Sequence, residues 1–201
     1  MIVGIAGGSA SGKTTFTSVL SRELEKYSHE FAVEAIGMDK YFFRGASGGP
    51  RFLSPSSGEE LPDNNHPDSA DNRRLTADLD KFRNECRTPR VILLEGLMTL
   101  HVEEIRKRLD LKIFIELESD IRALRRLIRD MGGGRGNQDP LWISNYYIEC
   151  ARAGHNAYVE PSKVYSDLIV RGDADFERTA TMISAVILHE IHNIEAGEPA
   201  L

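Results

Sequence analysis

Cysteine is nearly absent from this chain, tryptophan occurs once, and no apolar stretch comes near the length of a membrane span. Each scarcity removes a class of protein. The two cysteines, Cys86 and Cys150, lie far apart and without metal-ligand spacing. A disulfide framework or zinc site is therefore not expected, and both read as reduced thiols of a cytosolic protein. The apolar start, MIVGIAGG, is short and lacks a basic lead, so it does not read as a secretory leader. A membrane-spanning helix needs about 20 apolar residues, which no run approaches. Positive charge is in the minority: 25 Lys and Arg against 31 Asp and Glu leave a net charge of -6. That balance argues against a general nucleic-acid or acidic-membrane binder. Internal repeats are lacking, as is any linker that would divide the 201 residues. The expectation is one globular domain over 1–201, cytoplasmic, with no nucleic-acid or membrane partner, and compatible with a homo-oligomer.

What is present is a regular alternation. Five β-branched, apolar runs occur: Ile2–Gly7, Phe31–Gly37, Val91–Gly96, Leu111–Leu117 and Asp167–Gly172. Most are continuously hydrophobic, as strands buried on both faces of a parallel sheet are. Helical spacing separates them. Phe16, Val19, Leu20 and Leu24 recur at steps of three and four; so do Ile121, Leu124, Ile128 and Met131, and again Phe176, Ala180, Ile183, Ile187, Ile191 and Ile194. The pattern predicts an α/β domain with helices on both faces of a mostly parallel, five-stranded sheet.

Between the first strand and its helix stands GGSASGKT, Gly7 to Thr14, which fits G-x-x-x-x-G-K-[ST] in the required strand-to-helix context. Glycines let successive N–H groups curl toward phosphate oxygens, and the helix start adds its positive dipole end. Gly7, Gly8, Ser9, Ala10, Ser11, Gly12, Lys13, Thr14 and Thr15 are the candidate nucleotide cradle. Lys13 is placed to reach the β- and γ-phosphates and the Thr14 hydroxyl to ligate Mg²⁺.

Two carboxylates close predicted strands. Glu95 ends VILLEG and is the metal-side candidate; a structural strand-end hydrogen bond is the alternative. Asp39 follows the second strand in GMDKYF, where ligands of open α/β sheets bind. An acceptor hydroxyl attacking a phosphoryl group needs such a carboxylate, though Asp39 could instead cap a turn or hold a metal-bound water. Arg122, Arg125, Arg126 and Arg129 share one helical face leading into MGGGRG and Arg135. Arginines on a glycine-hinged element suit a lid over a transferring phosphoryl group, here around 120–140. The Gly-, Pro- and Ser-rich stretch 43–72 is a second candidate cover, on the substrate side.

In order along the chain, GIAGGSASGKTT, MDKYF, NNHPDSAD, VILLEGLM, LKIFIELESDIRALRRLIRD and YVEPSKVYSDLIVRG resemble the uridine kinase and phosphoribulokinase family of P-loop kinases, closest to the uridine kinases. The resemblance implies a P-loop three-layer fold and phosphorylation of a nucleoside 5′-hydroxyl with ATP and Mg²⁺. It implies Lys13 and Thr14 at the phosphates and metal, and Glu95 and Asp39 around metal and acceptor. Arg126 and Arg129 become lid arginines, Arg126 also touching the sugar. Tyr41, Asn65, His66 and Arg135 fall on the substrate side.

Four departures stand out. Asn65 replaces an aspartate that contacts ribose; Phe42 replaces a tyrosine, with Tyr41 adjacent; Arg135 stands alone where the family has Arg-Gly-Arg. The base-reading hairpin, roughly Tyr-Asp-Phe…His-x-Arg, is not recognisable before Val91. The acceptor is therefore a nucleoside first, with another sugar-like or small alcohol open. The alternative class is a nucleotide-binding or hydrolysing regulatory protein without an acceptor. A GTPase would carry Asn-Lys-x-Asp, which does not occur.

Overall fold

A computed structural model of the chain describes residues 1–27, 31–44, 48–84, 90–134 and 136–196, the side chains of 194–196 excepted. The apolar runs pair as five parallel strands: β1 (Ile2–Gly7), β2 (Ala32–Gly37), β5 (Arg90–Glu95), β6 (Leu111–Glu116) and β7 (Leu168–Arg171). Their order is β2-β5-β1-β6-β7, so the phosphate motif follows the central strand.

Side-chain alternation divides the core into two halves. Ile2 and Ala6 of β1 join Ile92 and Leu94 on one face, beneath α2 (Asn72–Asn84) and α3 (Glu103–Arg106). Val3 and Ile5 turn to the other face with Leu93 and Ile113, covered by α1 (Lys13–Glu25) and α7 (Phe176–Ala196). Phe16, Leu20 and Leu24 of α1 and Ala180, Ile183, Ile187 and Ile191 of α7 are all buried there, as their spacing predicts. This is the expected three-layer α/β fold. The edge strands depart from the double burial expected of them: Ala32, Glu34 and Ala35 of β2 and Ile169 of β7 are exposed.

A larger difference concerns α4 (Ser119–Arg129). It is a helix, but Leu124 and Ile128 are 61% and 72% exposed and Met131 lies open just beyond it. The arginine face turns toward the body of the domain because its guanidinium groups find acceptors there: backbone carbonyls for Arg122 and Arg125, and Asp130 for Arg126 and Arg129. Arg122 is buried and donates to the Leu117 carbonyl at 3.0 Å; Arg125 donates to Gly172 O at 3.0 Å. Hydrogen-bonded charge has displaced the apolar stripe from the core.

The stretch 43–72 is more ordered than its composition suggests. It holds a two-stranded antiparallel hairpin, β3 (Arg51–Leu53) with β4 (Glu60–Pro62), and a turn at Pro67–Ser69 before α2. The hairpin is pinned to a helix that begins as α5 (Pro140–Tyr146) and runs through α6 (Arg152–Gly154) to residue 159 by way of two wide π-type turns. Glu149 accepts from Ser54 Oγ at 2.7 Å and from Ser56 N at 3.1 Å, and Phe52 meets Tyr146 edge-on.

The two faces can be told apart by one substitution made twice. Ile128→Ala on exposed α4 is expected to change stability by under about 0.5 kcal/mol. Ile187→Ala, at a fully buried position of α7, should cost about 2–5 kcal/mol. Equal losses in denaturant titrations would show that α4 packs by its apolar face after all.

Candidate active site

The phosphate motif turns tightly between β1 and α1, with Ala10 (φ 62°) and Gly12 (φ 105°) in left-handed conformations and Ser11 N donating to Gly8 O at 3.1 Å. Such alternation aims backbone N–H groups into one concavity. No side chain caps the start of α1, so its first amides remain available to an anion. Lys13 crosses the loop and donates from Nζ to Gly8 O at 2.8 Å. Burial pushes this ammonium down to about 8, against the pull of Glu95 and Asp39. At neutral pH it stays mostly charged, in a site whose own carboxylates do not fully repay its desolvation.

A second buried cation supports the loop from beneath. The Arg122 guanidinium lies so close to Gly8 that a Cβ there would come within 2.5 Å of Nη1. Behind it, His155 Nε2 faces Glu160 at 3.3 Å, and buried Nδ1 has no hydrogen-bond partner among the described residues. Lys163 pairs with Glu160 and with Glu116, the latter at 2.8 Å, closing this polar layer under the loop.

At the mouth of the cradle the Thr14 hydroxyl donates to Glu95 Oε1 at 3.0 Å. Adjacent ligands of an octahedral ion with bonds of about 2.1 Å are themselves about 3.0 Å apart, so this oxygen pair fits Mg²⁺. Among the described residues no cluster of three or more His, Cys, Asp or Glu could hold a metal. A magnesium ion here would need phosphate oxygens and water as its other ligands, its usual mode. Asp39, just beyond β2, lines the same cleft, which has a volume of about 840 Å³. Ser9, Ala10, Gly12, Lys13, Thr14, Thr15 and Glu95 also line it, whereas Gly7, Gly8 and Ser11 form the loop's inner backbone.

The arginine face of α4 roofs this cleft. Arg126 Nη1 lies 3.4 Å from Ser9 Oγ, its Nε lies 3.4 Å from Asp130, and its guanidinium stands 5.4 Å from the Tyr146 ring centre. Arg129 pairs with the same buried Asp130 at 2.7 Å. One carboxylate thus orients both lid candidates.

On the substrate side, Asn65 reaches the cleft but Tyr41 and His66 do not. The Tyr41 hydroxyl donates to Asp78 at 3.0 Å within the core, and burial together with Asp78 raises it to about 12. Its neighbour Phe42 takes the cleft position. His66 Nδ1 accepts from Asp68 N at 3.1 Å, capping the turn at Pro67, while its ring packs edge-on against Tyr158. Asn65 Nδ2 donates to Cys150 Sγ at 3.3 Å, and that thiol donates to Asp63 Oδ1 at 3.1 Å. Burial and Asp63 push Cys150 up to about 12, so it remains a protonated structural thiol. Arg135 and Cys86 lie outside the described residues.

The sequence model of the Phosphoribulokinase / Uridine kinase family matches residues 63–176. Uridine kinase of Staphylococcus haemolyticus is 33% identical over 84% of this chain and 86% of its own length. Uridine kinase of Borrelia hermsii is 32% identical over 92% of this chain and 93% of its own. The chain belongs to the phosphoribulokinase/uridine kinase family. Solved structures agree on the fold. A putative fructose transport system kinase from Silicibacter sp. TM1040 superposes with a TM-score of 0.63 at 19% identity, covering 85% of this chain and 89% of that one. A possible uridine kinase from Bacillus stearothermophilus gives 0.53 at 16% identity, covering 84% and 87%. The protein is an ATP-dependent P-loop small-molecule kinase, and nothing supports the regulatory alternative. Among the described residues no helix is long and apolar enough to cross a membrane.

Two members of this kinase's site carried no signal of their own in the sequence. His155 is a lone histidine on a helix that the fold brings beside Arg122 and Glu160 under the phosphate loop, and Trp142, the sole tryptophan, is brought to line the cleft. Burial, Arg122 and Lys13 push His155 down to about 4, against the opposing pull of Glu160. The unfolded chain takes up this proton near 6.5 and the folded chain resists it, so stability is present above that value and is lost as pH falls toward 4. Between about pH 7 and pH 5 the loss from this residue should be on the order of 1–2 kcal/mol. Denaturant midpoints of His155→Gln should fall less over that range than those of the parent; parallel curves would remove His155 from the account.

Proposed function

We propose that this kinase transfers the γ-phosphate of ATP, with Mg²⁺, to the 5′-hydroxyl of a nucleoside. The carrying observation is that one cleft collects the phosphate loop with Lys13, the Thr14–Glu95 oxygen pair, Asp39, and a wall of Asn65, Phe42, Trp142 and Tyr146. Uridine kinases among its relatives act on nucleosides by name, which supports the same acceptor class. Asp39 accepts the proton of the attacking hydroxyl. Lys13 and Arg126 hold charge on the transferring group, and Arg129 holds Asp130 and Arg126 in place. Thr14 and Glu95 would hold Mg²⁺, which when bound would neutralise phosphate charge. Residues 43–72 form the substrate-side wall and 120–140 the lid that excludes water. The reaction draws on the ATP pool of the cytoplasm.

A product-resolved screen of nucleosides, sugars and small alcohols with ATP and Mg²⁺ tests this reading. ATP consumption that no alcohol accelerates would overturn it. Asp39→Asn should lower kcat about 10²–10⁴-fold with little change in the KM for ATP. A change confined to ATP affinity would move Asp39 from the acceptor to the metal. Lys13→Ala should abolish transfer while leaving the fold intact.

A further inference from the structure

The sequence lacks the family's base-reading hairpin, yet the acceptor end of the cleft is not bare. Its outer wall is built from α5 and the end of β4. The helix starts where Asp139 caps it, accepting from Leu141 N at 3.3 Å and Trp142 N at 3.2 Å, with Pro140 preset in the first turn. Trp142 and Tyr146 are therefore one turn apart and stack nearly parallel, with ring centres 5.1 Å apart at 19°.

Tyr146 has no group left for a substrate. Its hydroxyl donates to Pro62 O at 2.8 Å and accepts from Asn64 N at 3.4 Å; its ring is held by Phe52 and faces Arg126. It is a bracket that fixes three things relative to one another: the Trp142 ring, the Asn64 backbone and the Arg126 guanidinium. Arg126 in turn touches Ser9 of the phosphate loop. Trp142, only half-buried, lines the cleft, and so do Asn64, Pro62 and Phe42. Trp142 thus offers an aromatic face to the cleft that the phosphate loop lines, and the exposed Asn64, its backbone held by Tyr146, lines the same cleft.

We infer that Trp142 is the stacking platform for the acceptor's base and that Asn64 reads its polar edge. This rests on the nucleoside reading above and assigns the discrimination that the missing hairpin would have supplied. A ring stacked on Trp142 gains contact whatever its heteroatoms. A carboxamide carries one acceptor and two donors in a plane, the complement of a heterocycle with adjacent N–H and C=O groups. A site that pairs such an edge rejects the analogue that lacks the N–H, because its own polar group is then left unpaired. The acceptor class is a nucleoside with a lactam-edged base. A free pentose fills the hydroxyl end and leaves Trp142 uncovered.

Trp142 is the sole tryptophan, so its emission reports on this surface directly. Uridine or inosine added to the parent protein should change that emission saturably, whereas D-ribose should not. Trp142→Leu should raise the nucleoside KM about tenfold or more, with the KM for ATP within about twofold, and Trp142→Phe should restore most of it. Asn64→Ala should erase the preference for uridine over 3-methyluridine in kcat/KM. Nucleoside phosphorylation that proceeds in Trp142→Leu with an unmoved KM overturns this inference and leaves the kinase reading standing. So does ribose that matches uridine in both emission change and kcat/KM. Should no nucleoside accelerate ATP use, both fall together. If Trp142→Leu does not fold, the emission titration of the parent decides alone.

Discussion

A buried ammonium that the protein does not fully neutralise organises this molecule. Lys13 is almost without solvent, bonded to a carbonyl of its own loop, and held well below its ordinary value by burial. Leaving such a charge in place costs on the order of a few kcal/mol, set by desolvation and only partly relieved by Glu95 and Asp39. An anion that enters the loop removes that cost and meets the uncapped amides of α1 at once. This incompletely compensated charge thus favours an anion in the loop. Arg122 deepens it from beneath, where Gly8 leaves room for a guanidinium and a side chain would not.

The same need for charge compensation explains why α4 is inverted relative to its hydrophobic pattern. Each inward arginine has an acceptor that fixes its direction: Leu117 O for Arg122, Gly172 O for Arg125, and Asp130 for both Arg126 and Arg129. Guanidinium groups taken out of water need partners, and here Arg122 and Arg125 find backbone carbonyls just past the strand ends, while the Asp130 carboxylate pairs with Arg126 and Arg129. The apolar side chains of α4 are left on the surface as a consequence. Burying them instead would remove the cations from the phosphate cleft.

How far the sequence discloses this depends on the range of the cause. The cradle from Gly7 to Thr15 is legible because phosphate geometry dictates residue types at fixed local spacing. The five strands are legible because burial on two faces leaves continuous apolar runs. Glu95 and Asp39 follow from where such strands end. By contrast, the choice between Tyr41 and Phe42 rests on Asp78, thirty-seven residues away, which draws the tyrosine hydroxyl into the core. The hairpin at 51–62 has strands of three residues with charged ends, and its stability comes from Glu149 and Tyr146 on a distant helix. His66 looked like a substrate contact and is a cap, since its ring nitrogen answers an amide two residues on.

Asn65 joins these long-range causes to chemistry. In the family pattern an aspartate stands there, yet here a carboxylate lies two residues earlier, at Asp63, and a thiol sits between. A thiol has one proton. With Cys150 donating it to Asp63, its sulfur can only accept from position 65, which requires an N–H donor and excludes a carboxylate. An asparagine meets that requirement with its amide nitrogen, and its carbonyl oxygen is thereby turned away from Cys150. The exchange of charge for an amide is therefore a consequence of packing Cys150 against the substrate wall, and it keeps a hydrogen-bond acceptor at a residue that lines the cleft.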